Sequence, residues 1–373
     1  MYIFAHKIKK TKYYEKLRNM MEYNKYLVCF LAILIFCGCG GEHDENVYKI
    51  DVSEDDIVNV SLSDLKRVDF ETSSASLLYL IDEVIPYRNG YLVKGREKVL
   101  YFNDNGDFLA EVGRKGRGPG EFVMLSSCYV FRDTVHVYSS GMKSVLKYVY
   151  DGDEFVYSGV IRTPEHVSMA KLLRSELYPE RYFALNTYYG VGGITPTISI
   201  YDTDFNLITS STSLVKDGGF SFTCPFGSNE FGVLFTDYIN YTIFQIQADT
   251  VLESKFFDFG SYAYPDRYVN YTDVTDVFKY VDGLPANSIK VIPLKMYAYD
   301  KSIVVLLPHA MIAVYDISLR KSSIFRLCDD SRESVTITSL NVFGGNVYVA
   351  LEADADDVDN PPVYVIPMSD IEL

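Results

Sequence analysis

From Val47 onward the chain is a succession of short runs in which apolar and polar residues alternate, and the runs come in sets. Alternation with period two marks a strand with one buried face. The first set is Val84-Ile85-Pro86-Tyr87, Tyr91-Leu92-Val93-Lys94, Val99-Leu100-Tyr101-Phe102 and Phe108-Leu109-Ala110-Glu111-Val112. Arg88-Asn89-Gly90 and Asp104-Asn105-Gly106-Asp107 supply its tight turns. A second set follows at Cys128–Phe131, Thr134–Tyr138, Ser144–Val149 and Glu154–Tyr157. A third holds Tyr182–Leu185, Thr197–Tyr201 and Leu207–Thr209, and a fourth Phe231–Phe235, Thr242–Ile246 and Val251–Phe256. The fifth is Met296–Tyr299, Ser302–Leu307, Ile312–Tyr315 and Ser323–Leu327, and the last Ile337–Phe343, Asn346–Leu351 and Val363–Pro367. A four-strand unit recurring about every forty to fifty residues is the pattern of a β-propeller. In four sets the third strand ends in an aromatic residue followed by Asn or Asp: Phe102-Asn103, Tyr150-Asp151, Tyr201-Asp202 and Tyr315-Asp316.

The expected fold class is therefore all-β, with four-stranded antiparallel blades in a single domain over residues 47–373. Residues 261–291, rich in Tyr, Asp and Pro, break the period and read as an insertion between blades, with a short helix over 274–280. Insertions in repeat folds gather on one face and often shape a binding surface. An early strand, Val47–Val52 or Val58–Leu62, is expected to complete the last blade and remove its open edge. The aromatic content fits β structure: Tyr 32 and Phe 23, with Trp 0. A formal net charge of -15 argues against a nucleic-acid partner.

The N-terminal region sets the expected address. Leu27–Phe36 is an uninterrupted apolar run, preceded by Lys25 and followed by Cys37-Gly38-Cys39-Gly40-Gly41. It is short for a bilayer span and suits a signal-peptide core. Gly38-Cys39 resembles the lipobox of bacterial lipoproteins, with Phe36 in place of the usual leucine, and makes Cys39 the expected lipidation site. Residues 20–38 then read as the signal peptide and 39–46 as a flexible tether. Residues 1–19 carry too many lysines for a signal peptide and are expected to be an extended leader or to lie outside the translated protein. The expected location is the outer membrane or cell surface, facing periplasm or exterior, with membrane contact through the lipid alone.

One dense glycine cluster, Gly113-Arg114-Lys115-Gly116-Arg117-Gly118-Pro119-Gly120-Glu121-Phe122, lies between the first and second sets. A phosphate cradle needs a following helix and a Gly-Lys-Ser/Thr ending, and both are missing. The stretch reads as a connector whose glycines permit positive φ and close packing. Arg114, Lys115 and Arg117 form a basic spot that could meet an anionic ligand or pair with acids such as Glu121.

Together with Asp104–Phe108 and with Leu65–Thr72 upstream, this cluster resembles the signature of the six-bladed β-propeller lipoproteins of Bacteroides and relatives. Phe70 stands where those proteins usually have leucine. The resemblance covers nearly the whole mature chain. It implies six blades of NHL/TolB-like type, a lipid anchor and an envelope location, and it brings no catalytic residues.

Candidate site residues outside the cluster are scattered. His43, His136, His166 and His309 do not form a metal-binding spacing, so no metal site is expected from them. Asp354, Asp356, Asp357 and Asp359 could offer oxygens to calcium, but they lack the glycine and distal glutamate of an EF-hand loop. No other cofactor is expected. Tyr262, Tyr264, Tyr268 and Tyr271, with Tyr188 and Tyr189, fall in expected loops and could stack on a sugar or hold a peptide. Cys128, Cys224 and Cys328 are expected as buried free thiols. The functional expectation is a binding or scaffolding propeller whose partner is an envelope protein, peptide or glycan. The alternative is a propeller lyase or hydrolase acting on a peptide or glycan, with His136, His166 or His309 holding a metal.

Overall fold

A computed structural model describes residues 47–50, 57–164, 169–175, 177–190, 193–212, 227–229, 232–237, 242–247, 249–260, 295–331, 333–352 and 359–371. Three short strands come first: β1 (Val47–Lys49), β2 (Val58–Ser61) and β3 (Lys66–Val68). The first sheet is β4 (Glu83–Tyr87), β5 (Gly90–Lys94), β6 (Val99–Asn103) and β7 (Phe108–Glu111). A small parallel pair, β8 (Arg114–Lys115) and β9 (Glu121–Phe122), follows. The second sheet is β10 (Leu125–Phe131), β11 (Thr134–Ser139), β12 (Ser144–Tyr150) and β13 (Phe155–Arg162). The third is β14 (Met169–Ser175), β15 (Tyr178–Gly190), β16 (Gly193–Tyr201) and β17 (Leu207–Thr212). The fourth is β18 (Gly227–Asn229), β19 (Gly232–Asp237), β20 (Thr242–Gln247) and β21 (Thr250–Asp258). The fifth is β22 (Lys295–Tyr299), β23 (Ser302–Leu307), β24 (Met311–Asp316) and β25 (Lys321–Cys328). The last is β26 (Ile337–Phe343), β27 (Asn346–Leu351) and β28 (Val363–Pro367), completed by β3. Within each sheet the consecutive strands pair antiparallel, as the turn signals predict.

The period-two alternation serves two interfaces at once. In the first sheet Leu92, Val99 and Tyr101 pack against Val135, Val137 and Leu146 of the second. Their neighbours Val93, Leu100 and Phe102 face the other way, onto Tyr348, Ala350, Val363 and Val365 of the last sheet. Each such burial stabilises by ~1.5–3 kcal/mol, so a strand apolar on both faces belongs between two neighbours. Tyr138 and Val145 meet Leu172 and Tyr182 across the next interface, and Phe183 and Ile200 meet Ile246 across the one after. Val304 and Ile312 meet Leu340 and Val349 between the fifth sheet and the last. The inner strands β10 and β14, β18 and β22, β22 and β26, and β26 and β4 lie side by side. This is a β-propeller of small antiparallel sheets.

The Asn/Asp corners have a common mechanism. Asn103 Oδ1 accepts the N–H groups of Asn105 and Asp107. Asp151 Oδ1 does the same for Asp153 and Glu154, and Asp202 Oδ1 for Asp204 and Asn206. Asp316 Oδ1 accepts from Leu319. Each side chain thus closes the turn from the third strand to the fourth.

Two expectations are corrected. The strand that completes the last sheet is β3, antiparallel to β28 with Val68 opposite Val363. The segments 47–52 and 58–62 do not close it. Instead β1 and β2 add as parallel fifth strands to the outer edges of β21 and β25. Burial decides between them: Val68 and Phe70 enter the core between the last sheet and the first, whereas Val58 remains 58% exposed. The third and fourth sets also have a first strand that alternation does not reveal, β14 and β18. Residues 261–294, which contain the expected insertion, lie outside the described residues. Among the described residues no helix is long and apolar enough to cross a membrane.

Candidate functional site at the axis

The first strand of each sheet lines the axis, and three of them bring charges to its start. Glu83 opens β4, Lys171 is the third residue of β14, and Lys295 opens β22. Their sheets are the first, third and fifth in chain order, so the charges come from alternate positions around the ring. Lys171 Nζ donates to Glu83 Oε1 at 2.8 Å. Beside them Lys94 Nζ donates to Asp82 Oδ2 at 2.7 Å, and the Lys94 side chain is only 8% exposed. Lys295 Nζ reaches the Thr338 carbonyl at 3.4 Å and Ser339 Oγ at 3.3 Å.

Backbone stitching holds these strands in register. Val84 N–H donates to Asn341 Oδ1 at 3.0 Å, and Asn341 Nδ2 returns a bond to the Val84 carbonyl. Ser339 Oγ donates to the Asp82 carbonyl. Ser127 Oγ donates to the Leu172 carbonyl at 2.9 Å and accepts from the Leu172 N–H at 3.3 Å. Inner strands of neighbouring sheets are not paired as ladders, so short polar side chains satisfy their buried backbone groups.

The electrostatics follow from burial and from this crowding. Burial pushes the Glu83 carboxyl up, but Lys171, Lys94 and Lys295 outweigh it and hold the group below the usual carboxylate range. Lys295 is pushed down to about 8, first by burial and then by Lys171 and Lys94, with Glu83 and Asp82 opposing. Burial, Glu83 and Asp82 keep the Tyr297 hydroxyl protonated. The Cys128 thiol, also buried near Glu83, rises to about 12 and is inert as a nucleophile at neutral pH. A carboxylate clamped by lysines and an amine close to neutrality can orient an ionic or hydrogen-bonding ligand, or exchange a proton with one.

Sequence reasoning passed over these residues. The available signal was positional: Asp82-Glu83, Lys171 and Lys295 each place a charge within a first strand or directly before it, where an apolar residue would be ordinary.

The residues that the sequence did single out are placed as follows. Gly113, Arg114, Lys115, Gly116, Arg117, Gly118, Pro119, Gly120 and Glu121 form a connector folded on the Glu121 carboxylate. Glu121 Oε1 accepts from Arg114 Nε at 2.8 Å, and Oε2 accepts from Gly118 N–H at 2.7 Å. The Gly118 N–H first, and then Arg114, hold this carboxyl below its usual range. A Cβ at Gly116 would lie 2.0 Å from Glu121 Oε2. Gly113 has φ +63, and a Cβ there would lie 2.5 Å from the Tyr148 hydroxyl, which donates to the Gly120 carbonyl at 3.0 Å. Lys115 Nζ pairs with Glu97 at 2.5 Å, and Arg117 is exposed. Two cations of the basic spot are therefore already engaged by carboxylates.

His136 lies inside β11, stacked on Tyr129 with centroids 4.9 Å apart, and its Nδ1 faces the Thr134 carbonyl at 3.1 Å. Burial lowers it to about 4, so it is neutral at physiological pH. His309 is exposed on the turn between β23 and β24, in a different sheet. Among the described residues no group of three His, Cys, Asp or Glu is arranged to hold a metal. Cys128 and Cys328 are buried free thiols. Cys39, His43, His166, Cys224, Tyr262, Tyr264, Tyr268, Tyr271, Asp354, Asp356 and Asp357 lie outside the described residues, and Asp359 is exposed.

No curated protein matches the sequence. Among solved structures, a Bacteroides fragilis protein described as exported superposes with a TM-score of 0.61 at 15% identity, over 86% of this chain and 99% of that one. This likeness shows the propeller fold. The WD40 domain of Pan2 from Neurospora crassa gives a TM-score of 0.38 at 11% identity, over 76% of this chain and 74% of that one. A functionally unknown protein from Desulfotomaculum acetoxidans gives 0.38 at 12%, over 68% and 69%. The sequence profile described as "Domain of unknown function (DUF4934)" matches residues 46–341. That match spans most of the chain, from β1 into β26, and the protein belongs to the DUF4934 family.

Proposed function

We propose that this chain is a cell-envelope lipoprotein whose sheets form a six-bladed ring that binds a ligand or protein partner at the axial mouth. The observation that carries the binding reading is the convergence of Glu83, Lys171 and Lys295 at the starts of inner strands from three separate sheets. Buried charges are costly, and a fold that gathers them on its axis gains an oriented polar site in return. Lipidation at Cys39 and an outer-membrane or surface location are supported by the apolar run and the Gly38-Cys39 pair. The likeness to an exported Bacteroides protein agrees with that address. The partner class is an envelope protein, a peptide or a glycan.

The test is binding of the full chain to envelope extracts and to peptide and glycan arrays, repeated with Lys171→Met. A retained partner lost in the variant supports the axial site. Undiminished binding in the variant places the partner elsewhere.

A second reading is favoured by one observation, the Lys295 amine lowered to about 8. An amine poised near neutrality can abstract a proton, as a lyase requires. Turnover of a peptide or glycan that disappears in Lys295→Arg, whose guanidinium stays protonated, would support it.

A further inference from the structure

The axial cluster holds two carboxylates, Asp82 and Glu83, and three ammonium groups, Lys94, Lys171 and Lys295. Lys94 is matched by Asp82 at 2.7 Å and Lys171 by Glu83 at 2.8 Å. Lys295 has no carboxylate partner among the described residues; it reaches one carbonyl and one hydroxyl. An ammonium group has three protons to donate, so one remains. The site is thus left with one positive charge, inside a chain of net charge -15. A half-buried ammonium without a counter-ion is expensive, and its removal from water is offset only by a matching anion.

We propose that Lys295 receives a single carboxylate group of the ligand, with the Ser339 hydroxyl and the Thr338 carbonyl fixing the ammonium in place. This rests on the reading of the axial mouth as the binding site, and it names the chemistry that site selects. The charge count favours a monoanion. A phosphate dianion would bring two charges to a surplus of one and would sit beside Asp82 and Glu83, which repel it. A neutral group would leave the ammonium unmatched. The carboxylate could belong to an acidic sugar or to the C-terminus of a peptide.

The experiment uses the full chain with 15N-labelled lysines. The Lys295 ammonium resonance is assigned by its loss in Lys295→Met. Probes are acetate, galacturonate, galactose, acetyl-dialanine, its C-terminal amide, and inorganic phosphate. The expected result is a saturable shift of that resonance with the carboxylate probes. Calorimetric affinity for the same probes should fall at least about tenfold in Lys295→Met and be kept in Lys295→Arg. Lys295→Gln provides a second neutral variant should Lys295→Met not fold. Stronger binding of galacturonate than of acetyl-dialanine assigns the carboxylate to a sugar, and the reverse assigns it to a peptide. Phosphate binding as tightly as the carboxylates overturns the proposal. Galactose or the amide shifting axial residues equally in wild type and Lys295→Met overturns it too, while leaving the axial site intact. No response of axial residues to any probe overturns both.

Discussion

Glu83 and Lys171 form an ion pair at 2.8 Å although the second sheet of the ring stands between the sheets that carry them. The pair therefore ties inner strands that share no ladder. Both side chains are largely shielded, so removing one partner leaves an uncompensated charge. Lys171→Met should destabilise by about 2–4 kcal/mol, and adding Glu83→Gln should recover part of that loss. Urea unfolding of the two single variants and the double variant measures the coupling. A coupling indistinguishable from zero would show that the pair does not hold the strands.

Acid sensitivity should be carried in part by His136. Its folded value of about 4 lies below the ordinary 6.5, so the unfolded chain takes up the proton first. The stabilising contribution of the neutral ring is complete above pH 6.5 and fades as the pH falls towards 4. The shift corresponds to about 3 kcal/mol at full protonation. His136→Phe keeps a ring against Tyr129 and should lose less stability than wild type between about pH 7 and pH 4.5, by about 2 kcal/mol. Urea midpoints at the two pH values give the difference, and equal pH slopes in the two proteins would contradict it.

Asn360 joins the last turns of the chain to the segment before β4. Its Oδ1 accepts from Leu78 N–H at 2.6 Å, while Nδ2 donates to the carbonyls of Glu71 at 2.8 Å and Ser76 at 3.1 Å. Asn360→Ala leaves several buried backbone groups without partners and should cost about 2–4 kcal/mol. Asn360→Asp turns a carboxylate oxygen towards the carbonyls of Phe70, Glu71 and Ser76 in a buried site and should cost at least as much as Asn360→Ala. Thermal melts of the three proteins order them; a melt unchanged in Asn360→Ala would contradict the assignment.

Gly113 offers a test of the connector. Its φ of +63 and the Tyr148 hydroxyl, 2.5 Å from where a Cβ would stand, oppose any side chain. Gly113→Ala should destabilise by about 1–3 kcal/mol; Tyr148→Phe in that background removes the nearest atom but leaves the ring carbon Cζ 2.8 Å from the Cβ, and the backbone strain, so it should recover only part of the loss. Denaturant midpoints should show partial rescue, whereas full rescue would assign the whole cost to the clash.

Truncation separates the roles of the first three strands. A chain lacking residues up to Ser61 loses β1 and β2 but keeps β3, and should fold with a lower melting temperature. A chain lacking residues up to Val68 loses the strand paired with β28 and should expose an open edge and aggregate. Light scattering and circular dichroism distinguish the two. Equal behaviour of both truncations would contradict the role given to β3.

How much of this was legible depends on what each residue had to satisfy. The sheets packed on both faces announced themselves, because Val99-Leu100-Tyr101-Phe102 can only be buried twice over. The turn asparagine and aspartates were legible because their job is local. β14 was not, since Met169-Ala170-Lys171-Leu172-Leu173-Arg174 answers to the axis as well as the core, and its charges interrupt the alternation. The axial cluster was hidden for a related reason. Glu83, Lys171 and Lys295 are far apart in sequence, and only the closing of the ring makes them neighbours. The choice of β3 over β1 and β2 rested on tertiary burial that three similar short runs do not reveal.

The seam between β3 and β28 has a consequence in time. The residues that lock it, such as Leu78 and Asn360, are 282 positions apart in the sequence. A chain growing from its N-terminus can complete its middle sheets early, but β3 and the face of the first sheet that packs on the last must wait for the final strands to emerge. Non-local closure of this kind is slow, because the loop entropy is lost before the contacts form. Until β28 is made, β3 has no partner, and the nascent ring stays an open arc that a chaperone could still hold unfolded.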